Sequence, residues 1–225
     1  AQTENGDKLL FSGKNFDITF HKGSGLMTSY RYKGHEYIHE GFGLRPAFWR
    51  APIDNDYGYN APRLLGKWKE ASQQTPVARS FSVETNDDNT VRVICQYSYP
   101  QTQAEWEIAY TLFGNGVVKI DNTFEPNDPK APMIPRVGLR MQLPGDFTKL
   151  EYYGRGPGEN YIDRRTSCFI GKYQTEIADL YEPYVRPQEN NHRTDISWLA
   201  LSGENTLLIV ADSLLEFNVS NYPLE

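Results

Sequence analysis

With 225 residues and a formal charge of −6, the chain has room for one large β domain or two small ones. Its acidic balance argues against nucleic acid and against an anionic membrane surface, both of which reward clustered Lys and Arg. No apolar run approaches the roughly 18 residues of a membrane-spanning helix, and Cys95 and Cys168 are too few for a disulfide framework or a zinc site.

The 15 Tyr, 18 Gly and 14 Pro suit short strands joined by many turns. Ala1 to Lys8 is polar and carries no signal-peptide pattern, although in a fragment that says nothing about a parent protein. Phe16, Ile18 and Phe20 alternate with polar residues, and Lys22-Gly23-Ser24-Gly25 turns the chain into Leu26 to Tyr32, which predicts a hairpin. A helix is expected from about Pro62 to Ala71, after Asn60 as cap. Period-two alternation then marks Val91 to Tyr99, with Cys95 as a buried free thiol, and Ala104 to Leu112. Gly114-Asn115-Gly116 supplies a tight turn before Val118, Ile120 and Phe124. Val137 to Leu143, Leu207 to Ala211, and Leu215 to Val219 read as further strands. The closing Leu224-Glu225 is compatible with a cloning remnant. Strands apolar on one face must be covered by another sheet, so the chain is read as a single all-β domain, residues 1–225, built as a large antiparallel sandwich with few short helices. A (β/α)8 barrel needs about 250 residues and eight helices, and this chain has room for neither.

Three segments depart from strand and turn patterns: Phe48 to Gly58, Tyr152 to Arg165, and Tyr181 to Arg193. They concentrate acids, amides, guanidinium groups and aromatic faces. Such groups suit sugars, because planar donors and acceptors bind vicinal hydroxyls and rings cover the apolar face of a pyranose. The same groups could instead fix long loops through charge-assisted pairs, Arg50 with Asp54 or Asp56, and Arg155 or Arg164 with Glu159 or Asp163. Asp54, Asn55 and Asp56 offer oxygen ligands to a hard cation, yet three neighbours do not make a full shell, and no metal is assigned. Asn218-Val219-Ser220 fits the glycosylation triplet, a pattern common by chance.

Phe48-Trp49-Arg50-Ala51-Pro52-Ile53-Asp54-Asn55-Asp56 resembles the FWRAPxDND segment of family-two glycoside hydrolases of the β-galactosidase kind. Tyr153 to Tyr161 with Asp163-Arg164 resembles that family's YGxGPxENYxDR segment. Tyr184 to Asn190 is similar to its PYvxPxENG segment, with Asn191 where the family usually has Gly. The resemblance covers nearly the whole chain, as the small-chain or fifth-domain region. It implies a supersandwich akin to galactose mutarotase, and a retaining mechanism in which one Glu is acid/base and another forms the glycosyl-enzyme. Both glutamates belong to a (β/α)8 barrel preceding this region, so no catalytic residue is assigned here. By the same resemblance, Trp49, Arg50, Asp54, Asn55, Asp56, Gly58, Arg155, Glu159, Asn160, Asp163, Arg164, Gln188, Glu189 and Asn190 are candidates to approach the substrate or to organise loops. Gly58 would be the hinge of a mobile lip over Tyr59 to Leu65. The implied partners are the remaining domains, the barrel above all, a galactoside at the shared site, and further copies in a homo-oligomer. A divalent cation and sodium belong with the complete enzyme, and no cofactor with this chain. The compartment stays open between bacterial cytoplasm and periplasm. Two other functions compete: a stand-alone carbohydrate-binding module, and a mutarotase-like epimerase, for which His192 close to Glu189 is the one suggestive acid–base pair.

Overall fold

The computed structural model describes residues 1–131 and 133–223. Leu224 and Glu225 lie outside the described residues. The chain forms two compact units, Ala1–Trp49 with Ala61–Pro144, and Arg50–Asn60 with Gly145–Glu225. It passes from one to the other at Trp49/Arg50, Asn60/Ala61 and Pro144/Gly145, so neither unit is a contiguous stretch of sequence.

In the first unit, strands β1 (Gln2–Asn5), β2 (Lys8–Ser12), β3 (Phe16–His21), β4 (Leu26–Tyr32) and β5 (His35–Glu36) make a five-stranded antiparallel sheet in chain order. The hairpin predicted from Phe16 to Tyr32 is β3–β4. Strand β6 (Arg45–Ala47) follows, then the second unit's short helix α1 (Asp54–Gly58), then α2 (Ala61–Leu64) and α3 (Gly66–Gln73) back in the first unit. A four-stranded sheet comes next, from β7 (Ser80–Thr85), β8 (Val91–Tyr99), β9 (Ala104–Leu112) and β10 (Val118–Pro126), each paired antiparallel with its sequence neighbour. The short strand β11 (Gly138–Arg140) pairs with β6.

The two larger sheets bury their apolar faces on each other. Phe20 of β3 meets Tyr110 of β9 at 5.1 Å and Phe81 of β7 at 6.3 Å between ring centroids. This is a β-sandwich core, which the alternating patterns required. At its other end Phe48 is ringed by Trp68, Tyr99, Trp106 and Phe124, all with centroids 5.0–5.4 Å away. Cys95 is a buried free thiol whose pKa burial pushes up to about 12, so it is inert packing.

The second unit carries the sheet β13-β12-β14-β15, made of β12 (Lys149–Gly156), β13 (Phe169–Glu176), β14 (Arg193–Ser202) and β15 (Thr206–Phe217), all antiparallel. Leu150, Tyr152, Ile196, Leu199 and Leu201 line its buried face.

Several expected elements differ. The helix expected over Pro62 to Ala71 is two helices broken at Leu65; Ala61, Leu65, Trp68 and Ala71, which helical spacing places on one face, are all buried in the core. Asn60 has φ +63° and its N–H donates to the Tyr57 carbonyl, so it closes the preceding turn instead of capping. The two strands expected over Leu207 to Val219 are one, β15, bulged against β14; the three consecutive exposed residues Asp212 to Leu214 interrupt its alternation. Of Val137 to Leu143 only Gly138–Arg140 pairs. Strand β12 escaped notice because two of its four inward positions are Gly154 and Gly156.

Those glycines are steric requirements. A Cβ on Gly154 would lie 2.8 Å from both the Asp195 carbonyl oxygen and the Ile196 Cα. Gly154→Ala should therefore cost about 1–3 kcal/mol, read as a lower urea midpoint at unchanged m. Gly58→Ala, where a Cβ meets nothing within 4 Å, should stay within about 0.5 kcal/mol.

Candidate functional site

The polar groups of all three motif segments gather in the second unit. Only the start of the first motif lies elsewhere, since Trp49 is core of the first unit. Arg50 grips Asp56 with both guanidinium ends, Nη1 to Oδ2 at 2.5 Å and Nη2 to Oδ1 at 3.0 Å. Asp56 stands in the first turn of α1, where its carboxylate also accepts the Ile53 N–H at 2.8 Å and the Tyr59 hydroxyl at 3.3 Å. That placement suits an acid near a helix N-terminus. Burial opposes the charged form of Asp56, but the Arg50 fork and the Ile53 N–H outweigh it and hold the carboxyl below its ordinary pKa. Asp54 and Asn55 are exposed, and Asp54 has Arg186 at 3.7 Å. Gly58 has no left-handed φ and so shows none of the strain that would demand glycine there. In the expected lip, Ala61 and Leu65 are buried in the first unit's core.

The second motif leaves β12 and folds over the start of β14. Asn160 is fully buried; its amide nitrogen donates to the Arg155 and Gly158 carbonyls, both at 3.1 Å, and its oxygen accepts the Thr194 N–H and hydroxyl. Arg155 pairs with Asp195 (2.7 Å), an acid outside the motif, and not with Glu159 or Asp163. Glu159 is taken by Arg164 at 2.5 Å, by the Tyr184 hydroxyl, and by the Asn191 N–H at 2.8 Å. Arg164 also lies over the Tyr161 ring, and Tyr161 stacks on His192 with centroids 5.1 Å apart. Asp163 is exposed.

The third motif closes the network. Glu189 is buried and accepts the Ala51 N–H and the Asn218 amide, both at 3.1 Å. Asn190 holds the Glu182 backbone through both ends of its amide, at 3.0 and 2.6 Å. Among the described residues Gln188 reaches the Arg186 carbonyl alone, at 3.5 Å. Asn191 has φ +56°, the left-handed region that Gly and Asn tolerate best, which explains Asn at a position where the family motif has Gly. His192 directs Nδ1 to Asn218 at 2.9 Å and Nε2 to Glu216 at 3.0 Å, so both ring nitrogens are occupied by groups other than Glu189. Asn218, the residue of the glycosylation triplet, has its amide engaged inside this network.

Sequence reasoning missed Asp195, Asn218 and Tyr184 as members of the network. Tyr184 lay inside a motif and could have been included; Asp195 and Asn218 carry no local signal. Chemically, the arrangement consists of buried carboxylates saturated by donors, with the exposed groups at its margin. Among the described residues no three His, Cys, Asp or Glu side chains converge as a metal site requires.

Asp56→Asn would remove the carboxylate paired directly with Arg50, leaving Glu189 as the remaining nearby negative charge, and should cost about 3 kcal/mol. The contribution of a carboxyl with a lowered folded pKa is complete above its unfolded value, about 3.9, and is lost as pH falls through the lower folded value. Unfolding followed by circular dichroism between pH 5 and 2 should show a shallower loss of stability in Asp56→Asn than in wild type.

Comparison with known proteins gives these motifs a family. Residues 12–225 match the family model described as β-galactosidase small chain. The chain is 32% identical over 201 residues to a β-galactosidase of Priestia megaterium, covering 89% of this chain and 19% of that protein. It is 32% identical over 218 residues to one from Lactobacillus delbrueckii subsp. bulgaricus (96% and 21%) and 28% identical over 236 residues to one from Vibrio cholerae (97% and 22%). The chain thus spans about a fifth of the length of the relatives it matches. With its motifs, its antiparallel sheets and this match over nearly its whole length, the chain belongs to the β-galactosidase small-chain family.

Proposed function

We propose that this chain is the non-catalytic C-terminal part of a β-galactosidase that hydrolyses terminal β-D-galactosides with retention, and that it shapes the mouth of the active site and supports assembly. One observation carries the non-catalytic reading. The buried acids of the motif loops, Asp56, Glu159 and Glu189, accept hydrogen bonds from Arg50, Arg164, Tyr184, Asn218 and three backbone N–H groups. A retaining glycosidase needs one carboxyl free to donate a proton and another free to attack, about 5–5.5 Å apart. Carboxylates saturated by loop donors are suited to holding loops in place. In the parent enzyme the barrel would supply the two glutamates, and any cation would be held there.

A carbohydrate-binding role is the second reading, and a specific feature favours it. Tyr153 and Trp198 are cross-strand partners on the outer face of the β12–β14 pair, and Tyr153 is exposed. Adjacent rings of this kind can stack on a pyranose.

The chain should not cleave an aryl β-galactoside; turnover proportional to protein and surviving purification to homogeneity would contradict the proposal. In calorimetric titration with galactose and lactose the primary reading expects no binding at millimolar sugar. Millimolar or tighter binding, lost in Tyr153→Ala, would move the assignment to a binding module.

A further inference from the structure

Two arginines of the first unit stand apart from the motif network. Arg45 of β6 and Arg140 of β11 are direct cross-strand partners. Their guanidinium carbons lie 3.5 and 5.4 Å from the centroid of one ring, that of Phe42. Arg45 is nine-tenths buried, at 9% exposure. Its Nε donates to the Gly43 carbonyl at a long 3.4 Å, and its two Nη groups make no hydrogen bond among the described residues. Arg140 donates from Nη2 to the Ser72 carbonyl at 2.5 Å, and its Nε is buried with no partner. Among the described residues neither guanidinium has a carboxylate within 4.0 Å.

Arg50 is paired with Asp56 and Arg155 with Asp195, whereas the lone buried Arg193, 4% exposed, has no ion pair among the described residues and donates to the His192 carbonyl at 3.2 Å. Arg45 and Arg140 differ from it in standing next to each other. Two like charges side by side, partly withdrawn from water and without a counter-charge, are costly. A shared aromatic face offsets part of that cost, but it cannot satisfy N–H groups. Burial, and for Arg45 the neighbouring Arg140, push both guanidinium pKa values below their ordinary range. The missing component is negative charge with acceptor oxygens. The guanidinium fork matches a carboxylate or phosphate group with two parallel hydrogen bonds.

We propose that Arg45 and Arg140 form a binding site for an oxyanion, a carboxylate or a phosphate group, received by the Nη donors of Arg45 and by Nη1 of Arg140, none of which makes a hydrogen bond among the described residues. The site lies in the first unit and does not depend on the reading of the motif loops. An acidic side chain from another polypeptide segment and a free anion would present the same chemistry.

The test is thermal unfolding of the chain in sodium acetate, sodium phosphate and sodium chloride at matched ionic strength. It is repeated on Arg140→Gln, which gives up one hydrogen bond to a backbone carbonyl, and on Arg45→Gln. At ten times the dissociation constant a bound anion shifts the folding equilibrium about elevenfold, and that shift should vanish in both variants. Arg140→Gln should also be no less stable than wild type in chloride, because it relieves a like-charge contact; a purely packing role would make it less stable. Acetate protecting at least as well as phosphate identifies a carboxylate; phosphate alone protecting identifies a phosphate group. If wild type responds no more than the variants to either anion, the proposal fails and the Phe42 ring is the whole of the compensation. Should Arg45→Gln not fold, the comparison with Arg140→Gln decides by itself.

Discussion

A buried carboxylate must be surrounded by donors, and that requirement organises the second unit. Glu189 is 3% exposed and accepts an N–H from Ala51, 138 residues earlier, as well as the amide of Asn218 near the other end of the chain. Leaving either oxygen bare would cost several kcal/mol. The stretches around residues 51, 189 and 218 are therefore held together by one side chain. Glu159 does the same for residues 164, 184 and 191. Long loops without regular structure are thereby cross-linked, each buried acid tying together donors from distant parts of the chain.

The first unit is stabilised in the opposite way. Its sandwich depends on rings: Phe20 between the sheets, and Phe48 enclosed by four other aromatics. The apolar burial behind these contacts is non-directional and tolerates the twist of antiparallel sheets, while several of the ring pairs meet edge to face. Within one motif the character of the chain changes over three residues. Phe48 and Trp49 are core, and Arg50 begins the charged network. That change explains why the motif is long and specific, since each half answers to a different constraint. The arginine pair at Phe42 belongs to neither pattern, which is why it invites a ligand.

Much of the sandwich was legible because its strands obey period two. Val93, Cys95, Tyr97 and Tyr99 in β8 and Trp106, Ile108, Tyr110 and Leu112 in β9 are buried as their alternation requires. Legibility failed where the inward side chain is absent or the period slips: Gly154 and Gly156 hide β12, and the bulge near Asp212 splits β15 into two apparent strands. The spacing of Ala61, Leu65, Trp68 and Ala71 marks a buried helical face beyond Asn60, but nothing in it marks the non-helical backbone of Leu65 (φ −106°, ψ 9°) that divides the helix in two. In the candidate site, Arg50–Asp56 and Arg164–Glu159 were among the pairings local spacing allowed. Arg155–Asp195 was not, since Asp195 reaches it only through a bulged strand 40 residues away.

The sequence by itself determined the antiparallel β class, the positions of the main hairpins and the three motifs that carry family membership, because these depend on local periodicity and on short strings of residues. Tertiary structure alone decided which acids Arg50, Arg155 and Arg164 meet, which groups bond Glu159 and Glu189, why Asn191 can stand at a left-handed position, and that Arg45 and Arg140 share one ring with no carboxylate beside them among the described residues. Those outcomes depend on distances between residues far apart in the chain, which no local pattern encodes.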